Sequence, residues 1–181
     1  MTTVIPSGEF RFIALDVETS CGDSASICQI GLACVRADHS IQTYATLVDP
    51  QLPFARFNID LHGIGPDTVR EAPTFPQIWP RLLSLLSRHP LVQHSRFDEK
   101  AIAAACKMHG LAQPRLHWTN SVSVARSAWP ALKKPWGNLL KKSLVTAKGS
   151  NCRLSFDLPL LRDRFCTRKT DRHPGQHPSH S

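Results

Sequence analysis

The segment FRFIALDVE, residues 10 to 18, constrains the fold of this chain more than any other stretch. Its apolar residues are continuous enough for a buried central strand, and its two acids are tolerable only where such a strand emerges from the sheet. Two further strand-like runs follow, SICQIGLACVR at 26–36 and SIQTYATLV at 40–48, joined by the short polar turn Ala37, Asp38 and His39. The three are expected to form an antiparallel meander. Pro50 and Pro53 end this segment, and a loop is expected up to His62, Gly63, Ile64 and Gly65, with Pro66 opening a short helix through Arg70.

Beyond the meander the texture becomes helical. Phe75, Ile78, Trp79, Leu82, Leu83 and Leu86 recur at helical spacing up to Pro90, which predicts an amphipathic helix of three or four turns whose apolar stripe is core. Leu91 and Val92 read as a short strand, and Phe97 to Met108 as an Ala-rich helix closed by Gly110, which puts Asp98 in its first turn. A brief strand near Leu116 to Trp118 and a helix from Val122 to Trp129 follow, ending at Pro130. The sum is an α/β protein, and 181 residues suffice for one well-buried core rather than two ordinary domains.

Charge divides the chain. The formal +8 hides a net −2 over residues 1–110, where nine Lys and Arg face eleven Asp and Glu, and a net +10 over residues 111–181, where thirteen face three. Beyond Leu132 the sequence KKPWGNLLKKSLVTAKGSNCRLSF is basic and weakly periodic, and TRKTDRHPGQHPSHS has no capacity to build a core, so the last ten or so residues are expected to be disordered. Residues 1–132 therefore read as the folded domain and 133–181 as a separate basic region. No apolar run approaches the roughly 18 residues of a membrane span, so no membrane association is expected. The N-terminal MTTVIPSGEFRFIALDVE lacks the basic start, apolar stretch and cleavage site of a signal peptide. A cytoplasmic location is expected, with the cysteines at 21, 28, 34, 106, 152 and 166 reduced.

Asp16 and Glu18 stand two apart on a predicted strand, so their side chains share a face. Two carboxylates that close repel each other unless a cation sits between them, and hard oxygen donors of this kind suit Mg²⁺ or Mn²⁺. In FIALDVETS four apolar residues precede the acids and a hydroxyl follows, and SICQIGLACV, HGIGPDTV and QHSRFDEKAI come after in order. Across residues 10 to about 132 this sequence resembles the DEDD superfamily of 3′–5′ exonucleases, of the kind that includes ribonuclease T, oligoribonuclease and the proofreading subunit of a replicative DNA polymerase.

The resemblance implies a ribonuclease H-like mixed sheet, three antiparallel strands then parallel ones, flanked by helices. It also implies hydrolysis of phosphodiester bonds at the 3′ end of single-stranded DNA or RNA with two divalent ions. Asp16 would contact both ions, Glu18 would complete one shell, and Asp98 would anchor the other. Thr19, His62, Gly63 and Ile64 resemble residues that hold the terminal nucleotide, and Phe97 is a candidate ring or packing residue beside the terminal base, with a place in the core as the alternative. The family often has His then Asn at the fifth and fourth positions before the second-motif Asp, whereas Gln93 and His94 stand there in this chain.

The match fails at the third motif, a general-base His or Tyr followed four residues later by Asp. Residues 133–181 contain neither pattern: the late histidines are His173, His177 and His180, the only tyrosine is Tyr44, and the late acids are Asp157, Asp163 and Asp171. One expectation is that degeneration or a shifted reading frame after about Leu132 has replaced the final helix, leaving little activity. The other is that Asp157 or Asp163 serves as fourth ligand with no protein base. Two competing functions carry distinct signatures. In an aspartate-nucleophile phosphohydrolase Asp16 would attack phosphorus, but Glu18 is one methylene too long for the second acid, and two strands follow where a helix belongs. A non-catalytic nucleic-acid-binding module would instead use the basic region to hold phosphate.

Overall fold

The computed structural model describes residues 4–128, 146–148 and 151–153. Asp157, Asp163, the late histidines and the tail lie outside the described residues. Three strands open the fold: β1 (Phe12–Thr19), β2 (Ile27–Val35) and β3 (Ile41–Leu47). They pair antiparallel as expected, with Asp16 opposite Gly31 and Glu18 opposite Gln29. Next come α1 (Arg56–His62), α2 (Pro66–Val69), α3 (Phe75–Leu86), β4 (Leu91–Gln93), α4 (Phe97–Met108), β5 (Trp118–Asn120) and α5 (Ser121–Ala128). Two short strands, β6 (Thr146–Lys148) and β7 (Asn151–Arg153), form a separate antiparallel pair.

The main sheet has the order β3-β2-β1-β4-β5, with β4 parallel to both β1 and β5. This mixed α/β sheet is the ribonuclease H-like architecture that the resemblance implies. β1 is its central strand, and all nine residues of β2 are buried. Period-two alternation then splits β1 into two faces. Ile13, Leu15 and Val17 join the main core, where Phe75, Trp79 and Leu82 of α3 and Ile102 of α4 also pack. Phe12 and Ala14 lie on the other face with Ala33, Val35 and Val92, and Asp16 and Glu18 continue that second face toward the strand end.

Several boundaries differ from the sequence expectation. β1 begins at Phe12 and runs on to Thr19, and β5 covers Trp118–Asn120 instead of ending at Trp118. The segment before His62, expected as a loop, is helical from Arg56. Its apolar residues do not form a buried stripe: Phe57 and Leu61 are exposed and only His62 is buried. α3 follows the apolar stripe closely and begins where the Gln77 side chain accepts the Thr74 N–H at 2.8 Å. Pro80 lies inside α3 on its exposed side, where a missing backbone bond faces solvent. No helix among the described residues is long and apolar enough to cross a membrane.

Candidate active site

β1 delivers Asp16 and Glu18 half-buried on one face at the C-terminal end of the central strand. Two features of β2 shape the space around them. The partner of Asp16 is Gly31, which has no side chain to fill the face beside the carboxylate. Between Glu18 and Thr19 the register shifts, because Thr19 pairs with Ile27 while Glu18 pairs with Gln29. The extra residue, Cys28, makes a bulge that bends the strand end and re-aims the residues at its tip.

Asp98 reaches the same strand end from α4. The N–H of Ile13 donates to the Pro90 carbonyl on the β4 side, so by alternation the N–H of Val17 points to that side too. β4 stops at Gln93, however, and cannot serve it. The Asp98 carboxylate takes the vacant role, with Oδ1 accepting the Val17 N–H at 3.0 Å. A carboxylate buried to 2% exposure is thus bonded to the residue between Asp16 and Glu18. Burial pushes its carboxyl up to about 7; the Val17 N–H and its own backbone oppose the rise, and the charge of Glu18 adds to it.

The first turn of α4 is also tied to β4. Gln93, 2% exposed, accepts the Glu99 N–H through Oε1 at 3.0 Å and donates through Nε2 to the Glu99 carboxylate at 3.3 Å. Arg96 flanks Glu99 from the solvent side at 3.1 Å. His94 lies 3.5 Å from the Ser121 hydroxyl. Phe97, the first residue of α4, is 44% exposed.

Of the remaining candidates, Thr19, His62 and Ile64 are buried, and Gly63 is exposed. The His62 ring accepts the Ile64 N–H at Nδ1 (3.0 Å), which leaves the proton on Nε2 to face the Thr19 carbonyl at 3.2 Å. Burial holds this imidazole below its usual value, partly offset by the bond to Thr19. Gly63 ends α1 at φ 77°, a left-handed position suited to glycine, and its N–H bonds the Ile59 carbonyl at 2.7 Å. Ile64 is buried with Cys28 and Val69. Thr19 is buried, so its side chain and those of His62 and Ile64 are packed inward rather than presented to solvent. Sequence reasoning missed Asn58, whose amide donates to the same Thr19 carbonyl at 2.8 Å. Its signal is the four-residue spacing to His62, visible only once the segment is read as a helix.

Among the described residues no group of three or more His, Cys, Asp or Glu side chains forms a ready metal cage. The donor set is still informative. All three acids supply hard oxygens, and the Asp98 carboxyl is raised chiefly by its own burial, with the neighbouring Glu18 charge adding to it. Oxygen donors of this kind fit a hard divalent cation such as Mg²⁺ or Mn²⁺.

The exonuclease family model RNase_T matches residues 13–149. The PolC-type DNA polymerase III of Caldanaerobacter subterraneus subsp. tengcongensis is 30% identical over 106 residues, covering 57% of this chain and 8% of the polymerase. That of Bacillus cereus is 26% identical over 140 residues, 75% of this chain and 10% of the polymerase. The chain thus spans about a tenth of the length of these relatives or less. Among solved structures, the nuclease domain of 3′hExo, a DEDDh family member bound to rAMP, superposes with a TM-score of 0.59 at 20% identity, covering 67% of this chain and 71% of that one. Exonuclease X in complex with 5′ overhanging duplex DNA gives 0.57 at 22% identity, with 78% and 79% covered.

Proposed function

This chain belongs to the exonuclease family whose model it matches, the DEDD superfamily of 3′–5′ exonucleases, and from that premise we propose that it hydrolyses phosphodiester bonds at the 3′ end of single-stranded DNA or RNA. The observation that carries the reading is the bond from Val17 to Asp98, which brings a third carboxylate to the strand end that bears Asp16 and Glu18. Asp16, Glu18 and Asp98 would hold two divalent ions, Mg²⁺ or Mn²⁺. Bound there, such ions supply positive charge for the developing oxyanions and activate a water for in-line attack at phosphorus.

The chain's own residues prepare that chemistry. The Val17 N–H fixes one oxygen of Asp98 and so ties the carboxylate to the strand residue between Asp16 and Glu18. Asn58 and His62 hold the Thr19 carbonyl, so the backbone just beyond Glu18 is fixed from behind. The exposed Phe97 ring offers a face for the terminal base, and Thr19, His62, Gly63 and Ile64 shape the end of the strand against which the nucleotide would rest. The named site residues all lie within residues 1–132; the family match runs on to residue 149, and residues 133–181 are basic and lack the His-x4-Asp pattern. Loss of a general base typically costs about 10²- to 10⁴-fold, so a correspondingly slow reaction is the expectation for residues 1–181.

A second reading is favoured by the net +10 over residues 111–181: a module that binds nucleic acid without cutting it. Incubating a 3′-labelled single-stranded oligonucleotide with the protein and Mn²⁺ separates the two. Release of mononucleotides, abolished by Asp16→Ala and by chelation, is the expected result. Salt-sensitive binding with no turnover would favour the module.

A further inference from the structure

We propose that Gln93 is a positioning residue for Asp98, acting through the first turn of α4; the inference rests on the reading of Asp98 as a metal-holding carboxylate. A helix leaves its first N–H groups without intrahelical partners. At α4 the residue that should cap them, Arg96, makes no side-chain cap bond. The Glu99 N–H is taken instead by a side chain from another element, the buried last residue of β4. Gln93 is an amide, so it accepts that N–H and donates to the Glu99 carboxylate at once.

The consequence lies in the residue next to Glu99. Asp98 bonds β1 through its side chain, and Glu99 bonds β4 through its backbone and carboxylate. Two adjacent residues therefore clamp the α4 N-terminus to two adjacent parallel strands. Three contacts on two strands fix both the distance of the helix from the sheet and its rotation about its own axis. With the β4 clamp removed, the body of α4 stays packed through Ala101, Ile102 and Ala105, but its first turn is tied to the sheet by the Val17 bond without the Gln93 bonds, and the Asp98 carboxylate is held less firmly beside Asp16 and Glu18. Partners that orient a ligating carboxylate without touching the ion typically govern about 10- to 100-fold in metal affinity.

The test is Mn²⁺ binding by the full chain without nucleic acid, read from the EPR signal of unbound Mn²⁺, alongside the Tm of the metal-free protein. Gln93→Met removes both clamp bonds at nearly constant volume, and is expected to raise the Mn²⁺ Kd about tenfold. In the double variant Gln93→Glu/Glu99→Gln the two side chains exchange roles at constant net charge, and the Kd is expected to return to within about threefold of the parent. A cap with no positioning role would lower the Tm of Gln93→Met and leave its Kd unchanged, which overturns the proposal, as does failure of the double variant to rescue. Should Gln93→Met not fold, Gln93→Asn decides on the same terms, since its amide falls one methylene short of Glu99. Absence of Mn²⁺ binding by the parent, or unchanged binding in Asp98→Ala, overturns the underlying metal reading and this inference with it.

Discussion

The His62 imidazole has no place for a second proton, because Nδ1 already accepts the Ile64 N–H and would meet a donor with a donor. Burial, the larger cause, sets its folded-state pKa below 6.5. A depressed pKa stabilises the fold above the unfolded value, and that stability is lost as pH falls through the folded one. The Tm is therefore expected to drop between pH 7 and pH 5 by the equivalent of about 1–3 kcal/mol, the cost of an unsatisfied buried donor. His62→Gln should lower the Tm at pH 7 and flatten the dependence; an equally steep slope in that variant would assign the titration elsewhere. Thiols report the same physics in the opposite direction. Burial pushes Cys28 and Cys34 up to about 12, whereas bonding from Ser26 lowers the half-exposed Cys21 just beyond the site. Iodoacetamide at pH 8 should label Cys21 about 10²-fold faster than either buried thiol, as mapped by peptide mass spectrometry.

α3 and α1 differ in how they are held, and this decides how legible each is in sequence. α3 buries Phe75, Ile78, Trp79, Leu82, Leu85 and Leu86, so its 3.6-residue period is written in apolar residues and its range is readable. α1 is held by polar bonds from Asn58 and His62 to a single carbonyl and has no apolar stripe to read. The same difference predicts how each responds to substitution. Leu82→Ala leaves a cavity in the main core and should cost about 2–5 kcal/mol in urea unfolding. Asn58→Ala removes one hydrogen bond and should cost about 1 kcal/mol, with faster amide exchange confined to residues 56–62. A cost at Asn58 equal to that at Leu82 would instead make α1 part of the cooperative core.

At the scale of the molecule, the meander and the shared face of Asp16 and Glu18 follow from local pattern, because three apolar runs and a period of two suffice. The approach of Asp98 does not, since its bond to Val17 spans 81 residues and leaves no periodic trace; only resemblance to a family pointed to it. Neither does the Gln93 clamp, which depends on β4 ending where α4 begins. The net +10 is the most conspicuous number in the composition, yet the three candidate carboxylates lie wholly within the part that carries −2. The missing motif of the basic region matters more than its charge. A His or Tyr four residues before an Asp would take the proton from the attacking water and give a rate that levels off near its own pKa. Residues 133–181 have no such pair, and under the proposed reading the proton would pass to solvent hydroxide. With metal and oligonucleotide saturating, log kcat should then rise with a slope near one, about tenfold per pH unit from 6.5 to 8.5, and added imidazole should accelerate the reaction in proportion to its neutral form. A bell-shaped profile, or a plateau near pH 7 indifferent to imidazole, would reveal a base that the sequence does not disclose.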